Sequence, residues 1–250
     1  MTSNFTRLNA NRHRYLKLME HRGYQHARSC AQSDLMLAEF GRAAAHYPIV
    51  FAGNGSGAVR PVVLLSREGL SNAFVGSSGH WLNTYVPMVI RLHPFAMARA
   101  SNSDALVVCI DMNSELLSPD TGVPLFDMNG DPAPALDHAM QQLNNVEVML
   151  RATEEFCRAL QKLKLLAPLA SISHRNLSKL DLDNLYYVDE RALDRLGDAA
   201  LCVLRNQGWL TPLYAHRVSL MQIDRLPPAG SDNGRRLQDA NEKPWEGMHA

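Results

Sequence analysis

The spacing of apolar positions changes character along the chain, and each change marks a predicted element. The first 30 residues are rich in Arg, His and Asn with no sustained period, and read as an arm packed on the body of the protein. From Gln32 to Ala45, Leu35, Ala38, Glu39 and Arg42 predict a short helix, with Ser33 or Asp34 as N-cap. That helix must stop before Pro48, because a residue preceding proline is pushed out of the helical region. Strand signals follow: "PIVFA", the turn cluster "GNGSG", then "AVRPVVLLS", a predicted β-hairpin. "NAFVG" and "HWLNTYVPMVI" extend the strand pattern, and "DALVVCID" reads as a buried strand ending in Asp111. Pro61 and Pro87 within or beside these runs point to edge strands or bulges.

Beyond "SPDTGVPLFDMNGDPAP" the period turns helical. Leu136, Met140, Leu143, Val146, Leu150, Cys157, Leu160 and Lys164 fall on one stripe, predicting a helix from Pro132 to about Leu166. Asp131 suits its N-cap, Pro132 its first position, and Lys162 and Lys164 its last turn. Glu147–Arg151 and Glu154–Arg158 are spaced as ion pairs four residues apart. Asp189 and Asp198 each cap a predicted short helix, with Gly197 and Gly208 at C-terminal positions. "TPLYAHRVSLMQIDRL" supplies a last helix, and everything after Pro227 reads as a disordered polar tail. No ten-residue helices alternate with the strands, so the sheet is expected to be mostly antiparallel. The predicted class is α+β: a first-half sheet packed by one long helix and shorter C-terminal helices. Residues 1–226 form the expected domain, with 1–30 as its arm and 227–250 as its tail.

Composition narrows the function classes. Lys plus Arg and Asp plus Glu are both 25, so the net charge is zero, which argues against nucleic-acid binding. The N-terminus lacks the apolar core of a signal peptide, and the longest apolar runs fall far short of the roughly 20 residues that span a bilayer. The four cysteines are widely spaced and read as reduced thiols, so the expected location is cytoplasmic.

Several patterns invite a chemical reading. "DMNGD", from Asp127, resembles the start of a calcium loop, but glycine falls at the fourth position and His138 stands at the twelfth. It reads instead as an Asx-rich turn. "GNGSG" lacks the lysine of a phosphate loop and reads as a hairpin turn. The ten histidines show no helical H-x-x-x-H or H-E-x-x-H spacing, so no metal and no cofactor is expected. No G-x-S-x-G supports a serine nucleophile. What remains is a set of groups for distant segments to bring together: His46, His93, Asp111, Asp127 and His216, a candidate ligand-binding set. The alternative is that each imidazole bonds a nearby backbone group and that His46 and His93, both near prolines, punctuate the fold.

Four stretches in order, "RAAAHYPIVF", "YVPMVIRLHPFAMA", "VVCIDMNSELLS" with "PLFDMNGDPAPALDHAM", and "YYVDERALDRLGDAALCVLRNQGWLTPLYAHRVSLMQIDRL", resemble the SapC family, bacterial proteins named after a surface-layer protein locus. The likeness runs from about residue 10 to 226 and is weaker in "SHRNLSKLD". It implies an accessory protein that binds a protein partner in surface-protein export or modification. It carries over no reaction and no catalytic residue. The competing expectation is an enzyme or small-molecule binder with its site near His46, His93, Asp111 and Asp127.

Overall fold

The computed structural model of this protein describes residues 4–20, 23–55, 57–83, 85–100, 105–172, 177 and 180–228. Most of "SHRNLSKLD" and nearly all of the polar tail lie outside the described residues. Within them the chain is α+β, with three antiparallel sheets, one long helix and a C-terminal group of short ones. The first-half residues divide among three sheets, where the sequence had suggested one.

Residues 4–18 carry regular structure. β1 (Phe5–Arg7) pairs with residues 109–111, and α1 (Ala10–His13) leads to β2 (Lys17–Leu18), which is hydrogen-bonded to two further strands. The predicted helix at 32–45 is mostly something else. Gln32–Asp34 forms β3 against β5 (Val59–Leu64), so Ser33 and Asp34 are strand residues and cap nothing. A 3-10 turn at Leu37–Glu39 and α2 (Phe40–Ala43) make up the helical part, which does stop before Pro48. The helical spacing straddled a strand end and a turn, and the unpaired edge of β5 claimed the strand.

The predicted hairpin is present. β4 (Ile49–Gly53) and β5 (Val59–Leu64) pair from Ile49↔Val63 to Gly53↔Val59. Asn54 closes the turn: its N–H donates to the Ala58 carbonyl (3.0 Å), and its Oδ1 accepts the Ala58 N–H (3.1 Å). Gly55 and Gly57 take φ of 75° and 90°, which glycine adopts without steric cost. Pro61 departs from expectation, because β5 is an interior strand flanked by β4 and β3. Proline is tolerated there since it lies one residue beyond the last β3–β5 pair, Asp34↔Val62. "HWLNTYVPMVI" is not a strand either. Among its described residues Trp81 forms an isolated bridge with Val75, and Pro87 caps α3 (Met88–Arg91). β6 (Phe95–Arg99) and β7 (Leu106–Asp111) complete the first three-stranded sheet, in order β1-β7-β6. β8 (Leu117–Ser118) and β9 (Val123–Pro124) flank β2 in the smallest sheet.

The long helix α4 spans Pro134–Lys162, 29 residues or about 44 Å. Its N-cap is Ala133 with Pro134 in the first turn, so Asp131 and Pro132 lie outside it, and Lys164 falls beyond its end with φ 53°. Arg151 does pair with Glu147 at 2.8 Å. Glu154 instead reaches Arg99 of β6. β10 (Leu166–Pro168) and β11 (Leu185–Val188) then extend the hairpin into a five-stranded sheet, order β10-β11-β4-β5-β3. Asp189 caps α5 (Glu190–Asp194) as predicted, accepting the Arg191 N–H at 3.0 Å. Gly197, not Asp198, is the N-cap of α6 (Asp198–Asn206), and Gly208 follows its end with φ 72°. α7 (Leu210–Ser219) continues as 3-10 turns to Arg225.

Two apolar cores lie along α4. Phe156, Cys157 and Leu160 join the larger, which holds the five-stranded sheet and the C-terminal helices. Leu136, Leu143 and Val146 join the smaller, with Phe95, Ile110 and Leu125.

Candidate functional site

The five residues singled out by sequence occupy different settings. Asp127 is an exposed Asx turn: its Oδ1 accepts the N–H groups of Asn129 and Asp131, both at 2.9 Å. His216 is fully buried against the Phe51 ring (5.2 Å), and its Nε2 accepts the Val188 N–H at 3.0 Å. Burial pushes its pKa down to about 4, against a smaller upward pull from the Ile49 backbone. His46 is half-buried beside Tyr47, with its pKa lowered by burial. His93 and Asp111 do come near one another. The Asp111 N–H donates to the Pro94 carbonyl (2.9 Å), and His93 Nε2 hydrogen-bonds the Ser114 hydroxyl (2.8 Å) in the turn that follows Asp111. The His93 ring stacks on His26 at 3.9 Å. Asp111 itself is committed to backbone, accepting the Asn4 and Asn113 N–H groups at 2.8 and 3.1 Å. None of the five lines either of the two cavities described next.

One concavity runs along α4. One wall is a single helical stripe, Leu150, Thr153, Glu154, Cys157, Arg158 and Gln161, spaced by threes and fours so that all face one way. The opposite wall is the end of β3 with Leu35 and Met36, and the start of β5 from Ala58 to Pro61. Arg99 of β6 also lines it. The volume is about 410 Å³, within the range of natural binding sites. A second hollow of about 460 Å³ shares Asn54, Ala58, Val59 and Gln161 with the first and continues to Lys164, Leu166 and Tyr186. Gln161 spans the junction, donating from Nε2 to the Gly57 carbonyl at 2.6 Å.

The groove lies at the seam between the cores, where consecutive residues Leu35 and Met36 belong to the larger and the smaller one. Its charged groups are Asp34 paired with Arg60 (2.7 Å), Glu154 paired with Arg99, and Arg158. Both pairs are partly exposed, which makes them weak. The Thr153 hydroxyl donates to the Met149 carbonyl and accepts the Leu37 N–H (2.6 and 2.9 Å), so both its roles are filled. Burial, with Glu154 nearby, pushes the Cys157 thiol up to about 12, where it stays neutral and unreactive. Such a groove combines apolar walls with charged edges.

Sequence reading missed this site because its residues come from four segments, each ordinary alone. One signal was available: Arg60 interrupts the otherwise apolar strand "AVRPVVLL". Among the described residues, no group of three or more His, Cys, Asp or Glu side chains is placed to hold a metal ion. Nor is any helix among them long and apolar enough to cross a membrane.

The fold and groove therefore define an α+β protein with an amphipathic cleft beneath one long helix. The SapC family model matches residues 8–226, and the chain belongs to the SapC family. No curated protein and no solved structure matches it.

Proposed function

We propose that this protein is a cytoplasmic accessory component that binds a protein partner in the export or modification of surface proteins. SapC membership supports the setting. The observation that carries the binding role is the α4 groove, with its apolar walls, half-exposed charges, satisfied Thr153 and neutral Cys157. The test is a pull-down from native lysate with the tagged full chain, followed by mass spectrometry of intact complexes. A protein held in stoichiometric amount supports the reading. A stoichiometric metabolite or metal in its place overturns it.

A second reading, an enzyme acting near His93 and Asp111, draws on the His93–Ser114 hydrogen bond at the end of β7. A serine-reactive fluorophosphonate separates the two. Labelling of Ser114 that is lost in His93→Gln favours an enzyme; an unlabelled Ser114 counts against it.

A further inference from the structure

We infer that the α4 groove takes an extended segment of its protein partner in which apolar side chains alternate with acidic ones. The inference rests on the partner-binding reading and adds to it the conformation and charge of what is bound. It stands on shape, on a strand edge and on charge.

The helix wall of the two connected hollows runs from Leu150 to Gln161, about 17 Å at 1.5 Å per residue, and Lys164 lines the second hollow just past the helix end. Six residues of extended chain, at about 3.4 Å each, cover that wall with one residue to spare. Facing that wall, β5 outruns its neighbour. β3 pairs with it from Gln32↔Leu64 to Asp34↔Val62 and the Leu35 N–H adds one bond to the Pro61 carbonyl (3.0 Å), while β4 pairs with it as far as Val59. Gly53 gives its N–H to the Asn184 carbonyl at 2.7 Å, which marks Gly53↔Val59 as the wide, non-hydrogen-bonded kind of pair. In such a pair the backbone N–H and C=O of Val59 turn away from β4, on the side where β3 has already ended. An extended peptide lying there has a strand edge to pair with, the arrangement by which peptides add to sheets elsewhere.

The charges select the sequence. Arg60, Arg99, Arg158 and Lys164 line the connected hollows against Asp34 and Glu154, a surplus of two positive charges in a chain whose total is zero. Arg60 and Arg99 sit in partly exposed ion pairs, so each guanidinium exchanges one carboxylate for another at little cost. Between them Leu35, Met36, Val59 and Leu150 offer apolar contact. In an extended segment alternate side chains point to opposite faces, so apolar residues enter the cleft while Asp or Glu residues meet the arginines at its edges.

The experiment is a display selection of random hexapeptides on the immobilised full chain, run beside the triple variant Arg60→Glu, Arg99→Glu, Arg158→Glu. A milder variant, Arg99→Gln with Arg158→Gln, guards against misfolding, and circular dichroism confirms the fold of each. The wild type is expected to enrich alternating apolar and acidic hexapeptides, and the triple variant to enrich basic ones. A fluorescein-labelled copy of the most enriched peptide is expected to lose about tenfold in affinity on the milder variant and to weaken as salt rises. No enrichment over the starting pool, or the same acidic peptides enriched on the charge-reversed chain, overturns the inference. If the lysate partner is then captured equally by wild type and triple variant, the partner-binding reading survives while the groove assignment falls. If no partner is captured at all, the reading itself fails.

Discussion

The two cores along α4 are built to different standards. The larger one encloses β4, whose Ile49, Val50 and Phe51 are fully buried, and sets Phe156 among Phe40 (6.0 Å), Phe51 (6.4 Å) and Trp209 (6.0 Å). The smaller one rests on a three-stranded sheet whose outer strands are largely open: β1 is mostly exposed, and β6 ends in exposed Ala98 and Arg99. Its helix residues Leu136, Leu143 and Val146 are flanked by the partly buried Met140, Met149 and Leu150. Each core claims its own side chains from α4 and from the Leu35-Met36 step, and neither fills the space between. The groove is what two unequal cores leave over when one helix must serve both.

The sharpest way to break this contrast is to cut a cavity in each core. Phe156→Ala removes a fully buried ring and should cost about 3–5 kcal/mol. Leu143→Ala should cost nearer 2 than 5 kcal/mol, because flexible Met140 and Met149 stand ready to relax into the gap. Urea denaturation measures both. Because α4 is common to the two cores, each variant should still unfold in one transition. Two separate transitions, each shifted by only one of the substitutions, would show that the cores are independent units.

Acid should strike the larger core through His216. Its pKa is pushed down to about 4 in the folded state, below an ordinary value of 6.5, so folding favours the neutral ring. The associated stability is therefore fully present above pH 6.5 and is lost as pH falls from there towards 4, amounting to roughly 3 kcal/mol. Half-buried His46 and buried His13, whose pKa values are also lowered, act in the same direction. Unfolding free energies of the wild type and His216→Phe at pH 7, 5.5 and 4.5 provide the check. The variant starts less stable, having lost the acceptor for Val188, but its pH profile should be flatter. Parallel profiles would remove His216 as the source of acid sensitivity.

The larger core was also the more legible in sequence. Local signals held wherever local physics decides: the Asn54-Gly turn, the apolar hairpin strands, the α4 stripe and the Asp189 cap. They failed where a distant edge decides. Ser33 and Asp34 look like caps until β5 needs a partner, and Phe5–Arg7 look irregular until β7 does. The histidines were conspicuous because of their type. The groove was not, since Asp34, Arg60, Arg99 and Glu154 meet only after three strands and a helix have packed. His93 and Asp111 are an intermediate case: neighbours through Ser114 and Pro94, yet apart from either cavity.

Glu39 ties the two cores together. Only 3% exposed, it accepts the Met36 N–H on Oε2 (2.9 Å), and on Oε1 both the Tyr85 hydroxyl (2.6 Å) and the Met88 N–H (2.8 Å). Met36 and Met88 belong to the smaller core, while Tyr85 packs on the larger. Glu39→Gln turns an NH₂ group towards donors on one side and should cost about 1–3 kcal/mol. Hydrogen exchange should quicken at Met36 or Met88 while the β4 amides stay protected. The Tyr85 phenol, held above its usual range by burial and by the Glu39 bond and charge, should titrate at lower pH in the variant. An unchanged Tyr85 titration would mean that burial alone accounts for it.

The smallest expected effect on stability belongs to the groove itself. Asp34 and Arg60 pair at 2.7 Å, but each side chain is 46% exposed, so solvent screens the pair and holding two long side chains in place offsets part of the gain. Arg60→Ala should therefore change the unfolding free energy by less than about 1 kcal/mol. A loss several times larger would mean that the arginine stem braces the seam by packing over Leu35 and Val59, and that the groove is part of the fold rather than a surface left open by it. A near-silent change makes Arg60→Ala the cleanest reagent for the binding role, since any loss of partner capture would then come from the missing guanidinium on an intact scaffold. Glu154→Ala tests the same point from the helix side: removing the carboxylate releases Arg99, raises the positive surplus and should strengthen capture of an acidic segment with little change in stability.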